Sequence, residues 1–391
     1  MKLLMITGLG GGVDLVRGKR GAFYHTLEEF HRYWDRIDII LPKVEGVTEK
    51  QFFDNVFVHC STWPMLYYPA WFLKKGADLH REQKFDLMTV HEFPPFYNGI
   101  GARLLAGEIN VPYVLEVHHI PGHPKAGSFK EKMYKKAWKV FAKFDTAKAK
   151  AVRVVNQKET PEFLISAGVA KEKIAYIPSV YLDLEVFRVY PVKSGVASPP
   201  KAEFDGVNPE VEKKFDLVFC SRLEKNKGIF NLIEAVKIAK QKKPDIKLLI
   251  IGNGPEKNNL ESRIKSYRLQ ENIFFSGWLE TTRDVAMAYN SAKIFVNPSF
   301  NEGGPRVALE AMACGLPMVT TKVGLMHDLI RNGENGLFTD WEPSNMAETI
   351  LKLLNDPALQ TKFSQAGQTI SQHFEKKAMI RNYAESLQKL L

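Results

Sequence analysis

Residues 297–317 read NPSFNEGGPRVALEAMACGLP, from Asn297 to Pro317. A short β-branched run, Ile294–Asn297, leads into this stretch and ends in a polar, glycine-bearing loop. Pro305 suits a first helical position, where its missing N–H has no intrahelical partner to lose, and Gly315 with Pro317 suits a helix stop. The spacing therefore predicts strand, loop, a helix over about Pro305–Cys314, and a further strand at Met318–Thr321. Glu302-Gly303-Gly304 stands immediately before the helix, whose free N–H groups and positive dipole end make an anion site. A carboxylate beside an anion site has a reason if it holds a hydroxylated, partly cationic group next to a departing phosphate. Glu310 follows on the order of 10 Å along the helix at 1.5 Å per residue. That separation suits the two ends of one extended ligand better than a catalytic pair. The plainer alternative makes Glu302 a helix cap and Glu310 a solvated charge; the double glycine, the proline and the AMACGLP ending weigh against it.

The same alternation extends outward in both directions. Strand-like runs fall at Leu3–Thr7, Ile37–Leu41, Val56–His59, Asp86–Val90, Tyr113–Val117, Val152–Val155 and Ile174–Ile177, with helical stretches such as Ala22–Tyr33, Ile100–Glu108 and Thr160–Ala167 between them. The rhythm breaks over 190–214, rich in Pro, Gly and charge, then restarts at Leu217–Cys220, Lys247–Ile251 and Ile273–Ser276. Strand, helix, strand in sequence implies parallel sheets covered on both faces. The expected architecture is two doubly wound α/β domains, 1–190 and 215–370, joined by a linker over 191–214. The stretch 345–391 reads as helical throughout, with 371–391 packing back on the first domain. Ligands in such sheets bind beyond the carboxyl ends of the strands, so a cleft between facing strand ends is the expected site.

Composition narrows the class. The chain has 391 residues, 45% apolar and 25% charged, which argues against disorder. Its three cysteines, Cys60, Cys220 and Cys314, form no CxxC pair, and its ten histidines no HExxH, so neither a disulfide scaffold nor a metal site is expected. No apolar run reaches the roughly 18–20 residues that span a bilayer. Met1–Gly8 reads as a first strand rather than a secretory signal, and a cytoplasmic location is expected, with attachment to the cytoplasmic membrane face left open.

The net charge of +10 is unevenly placed: between Pro121 and Lys150, nine lysines stand against Glu131 and Asp145. Such asymmetry points to an anionic partner, whether lipid surface, nucleic acid or phosphorylated substrate. Within it, Ser128 and Glu131 form a capping-box signature. Phe129, Met133, Ala137, Phe141 and Phe144 share a helical stripe flanked by Lys132, Lys135, Lys136, Lys139 and Lys143. That pattern fits a basic helix on anionic lipid, or a core-facing stripe with solvated lysines.

Three further clusters carry chemistry. Arg222 and Lys227 flank a strand-to-helix loop, one offering a planar fork to phosphate oxygens and the other a point charge. Gly8, Gly10, Gly11 and Gly12 form a glycine-rich first loop, but Val13 stands where a dinucleotide fingerprint needs its third glycine. This weakens a nicotinamide-dependent oxidoreductase while leaving room for a phosphate or an acceptor. The run Tyr113–Val117 ends in His118-His119, and His91 ends another strand; an imidazole at either place is able to touch a substrate.

Taken in order, these clusters resemble glycosyltransferase family 4, retaining enzymes of the GT-B fold with two facing Rossmann-like domains. Glu302 through Glu310 is similar to its E-x7-E motif, Arg222 and Lys227 to its paired basic residues, and Gly10-Gly11-Gly12 to its acceptor loop. His118 is similar to its first-domain histidine. Ile177-Pro178 and Asp183 resemble its IPNGVD segment, with Ser179-Val180 in place of Asn-Gly. The resemblance implies transfer of a sugar from a nucleoside diphosphate to an acceptor hydroxyl, on a glycolipid, lipid-linked or polysaccharide precursor. It implies neither metal nor cofactor, and no nucleic acid partner. Arg222, Lys227, Gly303 and Gly304 would bind the diphosphate, Glu310 the ribose, and Glu302 and His118 the donor sugar. A sugar epimerase of the same fold is the nearest alternative.

Overall fold

The computed structural model describes residues 1–8, 10–191 and 211–391. Leu9 and most of the expected linker lie outside the described residues. Two compact units emerge: Met1–Pro121 with Lys130–Ser179 and Lys377–Leu391, and Gly122–Phe129 with Val180–Lys376.

The first unit carries eight strands: β1 Lys2–Ile6, β2 Arg36–Leu41, β3 Glu49–Phe52, β4 Val56–Cys60, β5 Leu87–His91, β6 Tyr113–Val117, β7 Ala151–Val154 and β8 Ile174–Tyr176. Their order is β3-β4-β2-β1-β5-β6-β7-β8. All neighbours are parallel except β3 on β4. The central strands are near-continuous Leu, Ile, Val and Met because helices cover both faces of a parallel sheet. The edge strand β3, Glu-Lys-Gln-Phe, has no apolar run to announce it and is mostly exposed.

The second unit holds β9 Phe215–Cys220, β10 Leu248–Ile251, β11 Ile273–Gly277, β12 Ala292–Asn297, β13 Met318–Thr320 and β14 Leu337–Phe338. Their order is β11-β10-β9-β12-β13-β14, all parallel. Reversal of the strand order between β9 and β12 puts the loops after these two strands at the switch point, where ligands bind in such sheets.

The stretch 345–391 is helical almost throughout, broken at Asp356, whose carboxylate accepts from Leu359 N–H, and again before the helix Lys376–Gln388. Two expectations are corrected. The helix expected over Ala22–Tyr33 ends at Phe30 and tightens to a 3-10 turn at His31–Tyr33. The apolar stripe of the basic helix Phe129–Thr146 does not face the core as a unit. Phe129, Met133, Val140 and Phe144 are exposed, while Trp138, Ala142 and Asp145 are buried. Lys132, Lys136, Lys139 and Lys143 are exposed and Lys135 half-buried. No described helix is long and apolar enough to cross a membrane.

The last helix is fixed to the first unit by a buried charged network. Arg153 and Glu116 oppose each other on β7 and β6 and pair at 2.7 Å. Tyr383 donates to the same Glu116 oxygen at 2.6 Å, lies 3.8 Å beneath the guanidinium and stacks on Phe30. Arg153 donates further to the carbonyls of Ile177 and Pro178. A buried pair is tolerable when its remaining hydrogen-bonding capacity is met in this way.

A second buried acidic group is not so met. Asp145 is fully buried, and neither carboxyl oxygen has a hydrogen-bond partner. Burial pushes it up to about 7, opposed by Arg103, and burial with Asp145 nearby raises Glu92 as well. A carboxyl raised on folding binds its proton more tightly in the native state, so stability falls as pH climbs from the unfolded value toward 7. Thermal unfolding of Asp145→Asn against the parent tests this. The variant gains relative stability between pH 5 and pH 7 at up to about 1.4 kcal/mol per pH unit.

Candidate functional site

In the second unit, the loops after β9 and β12 are joined by an ion pair. Lys227 ends a 3-10 turn, Lys225–Lys227, after which Gly228 turns left-handed (φ +68°) into the helix Ile229–Ala239. A side chain at Gly228 would collide with the Pro298 carbonyl of the neighbouring loop, so glycine lets the two loops close up. Lys227 Nζ then reaches Glu302 Oε1 at 2.6 Å, with both side chains more than four-fifths buried. Ser299 Oγ donates to the same carboxylate oxygen at 3.0 Å. Ser299 is held through its carbonyl by the Trp341 indole and the Thr321 hydroxyl. Residues 122–129 buttress the loop: Lys125 N–H donates to the Phe300 carbonyl, and Asn301 donates to the Lys125 carbonyl at 2.9 Å.

The helix begins one residue later than expected, at Arg306, with Pro305 as its N-cap. Glu302 is therefore an ion-pair partner rather than a helix cap. Gly303 is buried and Gly304 half-buried just before the helix; a side chain on Gly304 would overlap Val180. Glu310 is not a solvated charge either. Its carboxylate accepts from Tyr289 OH at 3.3 Å, and burial pushes it up to about 7 against the pull of Arg306. Arg222 is two-thirds exposed and pairs with Glu224 at 3.3 Å, apart from the Lys227–Glu302 contact. The structure thus brings Lys227 and Glu302 together and leaves Arg222 on the loop surface.

In the first unit, His118 follows β6 and stacks on His91, the last residue of β5, with ring centroids 4.2 Å apart. Its Nε2 is buried and has no hydrogen-bond partner. Burial, then His91, Arg153 and His119, hold the ring well below the usual histidine range, so it is uncharged at neutral pH. The glycine loop proves partly helical, with Gly11 and Gly12 opening the helix Gly11–Val16. Packing accounts for both, since a side chain on Gly11 would meet Phe23 and one on Gly12 would meet Leu41. A side chain on Gly10 would meet nothing within 4 Å, so only Gly10 among the three is left for a ligand to explain.

Several contributors escaped sequence reading. Ser299 lay within the quoted stretch, yet its link to Glu302 depends on loop geometry. Tyr289 sits at an ordinary apolar helix position. Glu116 and Arg153 did carry a signal, each being a charge in the middle of an otherwise apolar parallel strand.

Comparison with known proteins agrees with this layout. Residues 200–370 match the family model described as glycosyl transferases group 1. A D-inositol 3-phosphate glycosyltransferase of Pseudarthrobacter chlorophenolicus is 32% identical over 166 residues, 41% of this chain and 39% of that protein. The chain thus spans about two fifths of that curated relative. The sulfoquinovosyl transferase SQD2 of Arabidopsis thaliana aligns over 94% of this chain and 70% of its own, at 23% identity. Among solved structures, Anabaena HepE in complex with UDP and glucose superposes with a TM-score of 0.71, covering all of both chains at 20% identity. The fold is GT-B, and the match to glycosyl transferases group 1 falls on residues 200–370.

Proposed function

We propose that the protein is a retaining glycosyltransferase of family 4, moving a sugar from a nucleoside diphosphate donor to an acceptor hydroxyl without a metal or cofactor. The observation that carries this reading is the Lys227–Glu302 pair at the head of the helix Arg306–Ala313, inside the residues that match glycosyl transferases group 1. HepE, of the same fold, was solved with UDP and glucose.

In the proposed reaction the bond from the anomeric carbon to the β-phosphate oxygen breaks, with its electron pair leaving on the diphosphate. The acceptor oxygen attacks the same face, and its proton passes to the departing phosphate. Charge builds on the diphosphate, where Lys227, Arg222 and the N–H groups around Gly303 and Gly304 would stabilise it. Fixed donors act strongly there because they need no reorganisation when the charge appears. Glu302 would oppose the positive charge of the oxocarbenium-like carbon and hold a sugar hydroxyl. Glu310 would accept from the ribose, His118 would hydrogen-bond the donor sugar, and Gly10 would admit acceptor or phosphate. The acceptor class is a glycolipid, lipid-linked or polysaccharide precursor.

The exposed face of the basic helix supports a cytoplasmic enzyme held at an anionic membrane surface. Phe129, Met133, Val140 and Phe144 stand beside Lys132, Lys136, Lys139 and Lys143, all exposed, the combination of apolar and cationic groups that binds the headgroup region.

Three outcomes test the reading. Against a panel of nucleotide sugars and acceptors, Lys227→Ala and Glu302→Ala each lower kcat by about 100-fold or more; undiminished transfer by both contradicts it. Ionised Glu310 accepts from ribose more strongly than the protonated acid, so the ratio of parent to Glu310→Gln affinity for UDP rises, by up to about tenfold, from pH 6 to pH 8. A flat ratio removes the ribose role. Finally, the protein co-sediments with phosphatidylserine vesicles at low salt and is released at high salt, since charges in water are screened within about 8 Å at 0.15 M. Equal binding to neutral vesicles counts against the helix.

A further inference from the structure

We infer that His91 is a positioning residue for His118, fixing the plane of its ring. The inference rests on the proposed function for what His118 does, but the stack itself does not. β5 and β6 are adjacent and parallel, with His91 opposite Glu116. His118, two residues past Glu116, therefore emerges beside His91, and the rings lie at 4.2 Å with 28° between planes. His91 is itself confined: the Phe93 ring lies 5.8 Å from its own, centroid to centroid, and Asn98 donates to its carbonyl at 2.8 Å. Phe93 occupies the space left by the missing side chain of Gly8. The sequence Gly8, Phe93, His91, His118 is thus a run of contacts in which each group limits the next.

The arrangement matters because of what His118 leaves unsatisfied. A buried polar nitrogen with no partner is costly, and among the described residues Nε2 of His118 has none. A hydroxyl placed against it would recover that cost, provided the ring cannot turn away. Charge is limited in the same way. The charged and titratable groups that act on the pair are Glu116, Arg153 and His119, and Glu116 is already engaged by Arg153 and Tyr383. Little negative charge is left to stabilise an imidazolium, and two stacked imidazoles repel a second proton. Burial and Arg153 lower His91 as well, against Glu116. A neutral His118 retains one nitrogen that donates and one that accepts, which a hydroxyl ligand needs.

The test uses the full chain with His91→Leu, which fills similar volume without a ring, and His91→Phe, which keeps a ring to stack. If His91→Leu does not fold, His91→Gln takes its place. UDP-glucose hydrolysis and imidazole NMR titration of His118 are the readouts. Losing the ring lowers kcat about tenfold with KM within twofold, as a misplaced group does, and moves the acid limb of the pH profile upward. His118, held below the usual histidine range in the parent, then titrates higher; His91→Phe, which stacks but carries no ring nitrogen, restores kcat and leaves the titration shifted. An unchanged pH limb and His118 titration in His91→Leu, or a loss of kcat in His91→Phe equal to that in His91→Leu, overturns the inference. If the parent does not turn over UDP-glucose, that result bears on the donor and the reaction, and the NMR titration alone decides the role of His91.

Discussion

Lys227 and Glu302 meet at 2.6 Å with both side chains largely withdrawn from water, and the arrangement of the second unit's strand ends follows from that contact. It joins the loops after β9 and β12, the two strands between which the strand order reverses. Gly228 makes the approach sterically possible, and Ser299, Trp341 and Thr321 fix the loop that carries the glutamate. Removing one member of a buried pair leaves the other charged and unpaired, at a cost of about 3–5 kcal/mol. In the proposed reaction, the ammonium that Glu302 neutralises in the resting protein would meet an incoming diphosphate as a cation already in position.

The first unit reaches strand-end chemistry by a different route. Glu116 and Arg153 sit opposite each other in the middle of the sheet, and the last helix contributes Tyr383 to the same oxygen. The C-terminal residues therefore join a charged network whose Arg153 acts on both stacked histidines. A change in Arg153, distant in sequence from His118, alters the electrostatics around it.

Much of this was legible in the sequence. Parallel strands covered on both faces are continuous apolar runs, so β1, β2, β4 and β6 could be read directly. The polar edge strand β3 and the two-residue β14 could not, because neither buries enough apolar surface to leave a pattern. Glu302 and Lys227 stood out through the glycines and proline beside them. Their contact did not, since 75 residues separate them and only the folded loops bring them together. The basic helix misled in a specific way: its apolar residues fit one stripe, but Trp138 and Ala142 took the core side. That left Phe129, Met133 and Phe144 outside. Gly11 and Gly12 fit a binding loop equally well, and only the neighbouring Phe23 and Leu41 reveal packing as their cause.

The claim on which the account turns is the proposal that fixed cations and helix-start amides of the second unit bind pyrophosphate oxygens. Calorimetric titration with UDP, GDP and ADP, each beside its parent nucleoside, measures this most directly. At least one diphosphate binds, and deleting its pyrophosphate weakens binding by about 100-fold or more, as expected for several charge-assisted hydrogen bonds. A nucleoside that binds as tightly as its diphosphate, or no binding by any of the three diphosphates, contradicts it.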